Sequence, residues 1–153
     1  MSLEQILSFV LKWEGGYVND PQDPGGETKY GISRRAYPRV NIKALTLDGA
    51  KRIYERDYWA PLAGISDDLC RMAAFDTAVN VGVSRALKWV GMAEGNWRTL
   101  LRIRRLYYHG LADRSPTMRR YLRGWLNRVE SLEGYIDGLT QKNATPHETP
   151  QGG

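Results

Sequence analysis

Residues 2–33 read SLEQILSFVLKWEGGYVNDPQDPGGETKYGIS, and the change of pattern at Gly15-Gly16 decides the fold. Before it, Leu3, Ile6, Leu7, Val10 and Leu11 recur at the i, i+3, i+4, i+7 spacing of an amphipathic helix. Ser2-Leu3-Glu4-Gln5 reads as a capping box, in which Ser2 takes an amide and Gln5 reaches back. Gly15-Gly16 ends the helix. Beyond it, Pro21, Pro24, Gly25, Gly26 and Gly31 exclude another helix up to about residue 38. Tyr17-Val18 and Tyr30-Gly31-Ile32 are predicted to form short strands around a Pro-Gly turn. A helix followed by a small hairpin is the expected opening.

The rest of the chain reads as helices. Thr46 or Asp48 caps one reaching about Trp59, stopped by Pro61 and Gly64. Ser66 caps the next, which runs to about Val81 with Gly82 at its exit, and Ser84 opens a shorter one. A long helix covers about 97–112, another follows Pro116, and a last one ends near Leu139. Several helices and one tiny hairpin predict an α+β, mostly α, fold. Residues 1–140 are expected to form a single domain, since 153 residues are one domain's worth of chain. Residues 141–153, QKNATPHETPQGG, lack apolar periodicity and are expected to be disordered.

Composition narrows the chemistry. Apolar residues are 42% and charged residues 25%, which excludes a fibre or a wholly disordered chain. Apolar runs are too short to span a bilayer, so no stable membrane insertion is expected. Glu4 and Lys12 interrupt the first stretch, which therefore does not read as a signal peptide. Cys70 is the sole cysteine, and His109 and His147 are the only histidines. A disulfide, a histidine-built metal site or a Ser/His/Asp triad lacks material. No P-loop or GxGxxG occurs, so nucleotide chemistry is not expected. Carboxylates are left to do the work.

Charge is unevenly distributed. The net charge is +5, yet residues 98–128 hold nine arginines against Asp113 and so carry +8. That suits a polyanionic partner or, alternatively, a solvated face whose arginine stems cover apolar surface. Leu100, Leu101, Ile103, Leu106, Leu122, Trp125 and Leu126 in the same segment mark part of it as core.

Among the carboxylates, Glu14 follows Leu11, Val10 and Leu7 by three, four and seven residues and continues the apolar stripe. Desolvation there disfavours the charged form. The negative end of the helix dipole acts in the same direction. A carboxyl that keeps its proton near neutral pH is what a general acid requires; the plainer alternative is a glutamate bonding loop amides. Asp20, Asp23 and Glu27 lie in the next loop, and a hairpin folding back could bring one opposite Glu14. Asp20 and Asp23 each precede proline, so either could instead close an Asx turn. Thr28 adds a hydroxyl able to hold a water. Asp76 and Asn80, four apart on one helix face, belong either to a buried hydrogen-bond network or to a groove wall. Tyr30, Tyr54, Tyr58 and Trp59 are candidates for stacking on sugar rings, or for core packing.

The series Glu14-Gly15-Gly16-Tyr17-Val18-Asn19-Asp20-Pro21, Asp23-Pro24-Gly25-Gly26 and Thr28-Lys29-Tyr30-Gly31-Ile32 closely resembles the N-terminal signature of glycoside hydrolase family 108. The resemblance continues through residues 58–62 and 75–82, and residues 85–89 and 124–129 look like that family's C-terminal, peptidoglycan-binding region. It covers roughly residues 3 to 130. It implies a lysozyme-like helical domain and an N-acetylmuramidase of the bacterial or phage endolysin type, with Glu14 as the catalytic acid. The wider phage-lysozyme group places an Asp nine and a Thr fifteen residues after its Glu; here Asp23 is nine after and Thr28 fourteen after, with Asp20 as the rival base. A longer insertion usual in relatives after the position of Trp89 is replaced here by residues 91–96, so the C-terminal helices are expected to join the one domain.

The resemblance thus implies hydrolysis of the β-1,4 bond between N-acetylmuramic acid and N-acetylglucosamine, without metal or organic cofactor. Tyr30, Trp59, Asp76 and Asn80 would line the substrate groove. The expected partner is bacterial peptidoglycan rather than nucleic acid, and the expected state a monomer. The protein would be made in the host cytoplasm and reach the wall after holin-type or lytic release. Two other readings are a non-catalytic wall-binding or secretion-accessory protein and a basic nucleic-acid-binding protein.

Overall fold

A computed structural model describes residues 2–22 and 25–144. The first helix, α1 (Ser2–Glu14), buries Ile6, Leu7, Phe9 and Val10. Each such side chain contributes about 1.5–3 kcal/mol through removal from water. Ser2 is already helical, so it does not occupy the cap position that the capping-box reading gave it. The helix stops where foreseen: Gly15 takes φ +73°, and its amide donates to the Leu11 carbonyl at 3.1 Å. That left-handed conformation suits glycine, which has no Cβ to clash.

The hairpin follows α1, but its strands and turn differ from the expected ones. β1 (Thr28–Lys29) pairs antiparallel with β2 (Ile32–Ser33), in the register Thr28↔Ser33 and Lys29↔Ile32. The turn is Tyr30-Gly31, at φ +54° and +79°. Two consecutive positive φ values match the twist of a tight two-residue hairpin, which a Pro-Gly pair, with proline fixed near −65°, cannot supply. Val18 joins only by an isolated bridge to Thr28, with 2.8 Å bonds in both directions.

Helix α2 (Leu47–Tyr54) is capped by Thr46, whose hydroxyl accepts from the Gly49 amide at 3.0 Å. The expected continuation to Trp59 is not α-helical. Residues Glu55–Trp59 form a π-turn and Ala60–Leu62 a 3₁₀ turn, as the chain adjusts ahead of Pro61. α3 (Asp68–Val81) is capped by Asp67 rather than Ser66, through a 3.0 Å bond from the Leu69 amide. Gly82, at φ +98°, separates it from α4 (Val83–Met92). α5 (Trp97–Arg114), α6 (Pro116–Arg119) and α7 (Leu122–Ala144) complete the order. α7 extends past Leu139 and takes in residues 141–144 of the expected tail; residues 145–153 lie outside the described ones. Gln141 to Ala144 contain no helix breaker, and the first comes at Pro146.

The chain divides between Leu100 and Leu101 into two compact units, residues 1–100 and 101–153. In the first, α1 and α4 pack on α3, whose Met72, Ala73, Ala74, Phe75 and Ala78 are buried. In the second, Leu101, Tyr108, Ala112, Val129, Leu132 and Ile136 form the buried set. There Tyr108 stacks on Trp125 with centroids 5.0 Å apart, and Arg105 pairs with Glu133. The arginine-rich segment is not one solvated face: Arg104 is fully buried, its Nε donating to the Tyr108 hydroxyl at 2.9 Å, and Arg128 is buried too. Arg102, Arg114, Arg119, Arg120 and Arg123 remain exposed. Among the described residues, no helix is long and apolar enough to cross a membrane. The architecture is α+β and mostly α, with the small hairpin after the first helix.

Candidate active site

Glu14 is the last residue of α1 and is half-buried. The tip of the hairpin lies against it. A Cβ on Gly31 would sit 2.8 Å from Glu14 Cγ and 2.9 Å from its Cβ, and would also collide with the Tyr54 hydroxyl. Only a residue without a side chain lets the turn approach this closely. The Tyr54 hydroxyl donates to the Tyr30 carbonyl at 2.5 Å and so braces the positive-φ turn from α2. Tyr54 itself is 1% exposed, with its ring edge-on to Phe75 and tilted against Tyr58. It is therefore a core strut, not a sugar platform. Three distant segments, the end of α1, the hairpin turn and the end of α2, converge on one carboxylate.

The other candidates separate clearly. Asp20 is exposed, and its Oδ1 accepts from the Gln22 amide at 2.9 Å, which is the Asx turn weighed against a catalytic role. Asp23 lies outside the described residues. Thr28 is half-buried in β1, its backbone shared between Val18 and β2. Glu27 immediately precedes that strand. It accepts a 2.7 Å bond from the Tyr17 hydroxyl and lies 3.8 Å from Arg34. The carboxylate in turn raises the Tyr17 phenol above its ordinary range, chiefly through that hydrogen bond.

Tyr30 stays half-buried at the turn, with the Lys29 ammonium 5.6 Å from its ring centre. Trp59 does not line a groove: it is buried, the Arg71 guanidinium covers its ring at 3.9 Å, and Phe75 meets it edge-on at 5.7 Å. Arg71 also donates to the Trp59 carbonyl at 2.8 Å. Asp76 is fully buried inside α3, on the side of a structural network, whereas Asn80 one turn later is half-buried. The aromatic surfaces beside Glu14 that do meet solvent are Trp13 and Tyr17, 39% and 40% exposed. Sequence reading passed over both, although their positions flanking Glu14-Gly15-Gly16 were the available signal.

A cleft of about 910 Å³ opens beside this site, with Gly15, Gly16 and Tyr30 at its edge. Glu14 is not among the residues that line it, although its neighbour Gly15 and the turn residue Tyr30 are. Among the described residues, no cluster of three or more His, Cys, Asp or Glu is placed to hold a metal ion.

Residues 7–82, which run from the middle of α1 through the hairpin and α2 to the end of α3, match the model of the family described as Glycosyl hydrolase 108. The solved structure of Brucella abortus SagA is similar to this chain, with a TM-score of 0.65 and 27% identity. The likeness covers 89% of this chain and 94% of that one. No curated protein matches the sequence. The helices and hairpin are those of a lysozyme-like α+β fold. With the Glu14 turn inside the matched segment, residues 7–82 carry the sequence pattern of glycosyl hydrolase family 108, a family of peptidoglycan-acting glycoside hydrolases.

Proposed function

We propose that the protein is an N-acetylmuramidase of the endolysin type, cutting the β-1,4 bond between N-acetylmuramic acid and N-acetylglucosamine. The observation that carries the reading is the packing of Glu14 against Gly31. A carboxyl at the end of a helix, walled by a braced turn and half-shielded from water, is held in one place and can donate a proton to a glycosidic oxygen. Asp23 is the second carboxylate, stabilising the oxocarbenium-like transition state or activating water. Its nine-residue offset from Glu14 supports this, and so does the Asx turn that occupies Asp20. Thr28, on the strand that leads into the turn, positions the water. Tyr30 and Asn80 contact the glycan, whereas Trp59 and Asp76 hold the scaffold. The protein acts as a monomer on the bacterial wall, without cofactor, after release from the cytoplasm during lysis; its exposed arginines favour approach to anionic wall polymers.

Mass spectrometry of muropeptides from digested wall tests this. A muramidase leaves N-acetylmuramic acid at each new reducing end. Reducing-end N-acetylglucosamine, or peptide cleavage alone, would refute it.

A further inference from the structure

The cleft beside Glu14 runs along the outer face of α1. Its walls are Glu4, Leu7, Leu11 and Lys12 of α1, and Lys51 and Glu55 at the α2 side. Lys12, Lys51, Glu4 and Glu55 are exposed, and the leucines lie between the charges. One end is set by Gly15 and Gly16, where an added Cβ would meet no atom within 4 Å. A substituent on a sugar held at Glu14 therefore finds an open passage into the cleft.

We propose that this cleft is a subsite for the stem peptide of peptidoglycan, an inference that rests on the muramidase reading above. The stem peptide hangs from the lactyl group of muramic acid, the sugar placed at the scissile bond. Its second residue is acidic and its third is, in many walls, a diamino acid; alanines flank them. The charges along α1 follow that order. Lys12 lies less than one turn before Gly15 and meets the carboxylate. Glu4 lies eight residues farther, about 12 Å along the helix axis, on the side where an ammonium falls. The two charges sit on adjacent residues, but the second residue is joined onward through its side-chain carboxyl and the diamino acid bears its ammonium at the end of a long side chain, so the extended pair reaches across about that distance. Leu7 and Leu11 lie under the alanyl methyls. Lys51 and Glu55 repeat one cation and one anion on the facing wall. The subsite makes the enzyme prefer glycan that still carries its peptides.

The test compares peptide-bearing glycan chains with the same chains stripped by an amidase, measuring new reducing ends. The wild type should cleave the peptide-bearing chains with about tenfold higher kcat/KM, mostly through KM. Lys12→Glu/Lys51→Glu should lower that preference to about twofold and leave the rate on stripped chains unchanged. Should the double reversal lower stability, Lys12→Gln/Lys51→Gln is compared in the same way. Equal cleavage of both substrates by the wild type, or an undiminished preference in both double variants, would overturn the subsite. A wild type that cleaves neither substrate would remove the muramidase reading itself, and the subsite with it.

Discussion

Gly31→Ala puts the convergence on Glu14 under direct test. The cost has three parts. Alanine at φ +79° pays about 1–2 kcal/mol for the left-handed conformation. Its methyl would lie 2.8 and 2.9 Å from Glu14 Cγ and Cβ, and overpacking of this kind costs about 1–3 kcal/mol. Displacing the Tyr54 hydroxyl also weakens its bond to the Tyr30 carbonyl, worth about 1 kcal/mol. A loss of about 3–6 kcal/mol is expected from urea unfolding of this variant, summed from those contributions. Gly26→Ala is the control. Gly26 has nearly the same φ, +72°, but its added Cβ meets only Arg34 Cβ at 3.7 Å, so it should cost only the conformational part, about 1–2 kcal/mol. Tyr54→Phe removes the hydroxyl that the new methyl strikes, so combining it with Gly31→Ala should cost less than the sum of the two single changes. Activity of Gly31→Ala should fall through kcat, because the methyl displaces the side chain proposed above as the proton donor. If Gly31→Ala proves no more destabilising than Gly26→Ala, the close approach of turn and glutamate does not exist.

Other consequences can be measured separately. Arg56 and Tyr37 both donate to Asp57, at 2.8 and 2.7 Å, and Arg56 first among them holds the Asp57 carboxyl below its usual range. A lowered carboxyl adds stability above its unfolded value, about 3.9, which is lost as pH falls through the folded value. Asp57→Asn should therefore flatten the fall in melting temperature below about pH 4; with Asp57 a third exposed, its contribution should stay under about 1 kcal/mol. An identical acid profile in wild type and variant would contradict this. The Cys70 thiol is buried and pushed up to about 11, burial being the main cause. Native protein at pH 8 should then resist iodoacetamide, and unfolded protein should gain one adduct by mass; rapid native labelling would show that the α3 core opens freely. Thr46→Ala deletes the α2 cap and should cost about 1 kcal/mol in urea, and no change would mean that the cap carries nothing.

The fold was legible where periodicity and breakers agree. The α1 stripe and the Gly15 stop were readable because helix burial and a left-handed exit leave marks within a few residues. The hairpin turn was misplaced. Positive φ at Tyr30 is imposed by the Tyr54 hydroxyl, 24 residues away, whereas the Pro-Gly pair advertised a local turn. Asp67 took the α3 cap from Ser66 for want of any local signal separating two adjacent capping residues. At the site, the position of Glu14 on its stripe foretold its partial burial. The fates of Trp59 and Asp76 were not foretold: an apolar stripe does not distinguish a groove wall from a core, and here Arg71 covers the tryptophan while the aspartate is fully buried.

The central claim is that Glu14 delivers the proton, and Glu14→Gln addresses it with the least disturbance. The amide is nearly the same size and leaves the Gly31 contact in place, but it cannot act as a carboxylic acid. Rates of reducing-end release from purified peptidoglycan should drop by at least about a thousandfold, within the range expected for losing a general acid, while the urea midpoint moves little. Lysis at a tenth or more of the wild-type rate by a folded Glu14→Gln protein would contradict the account.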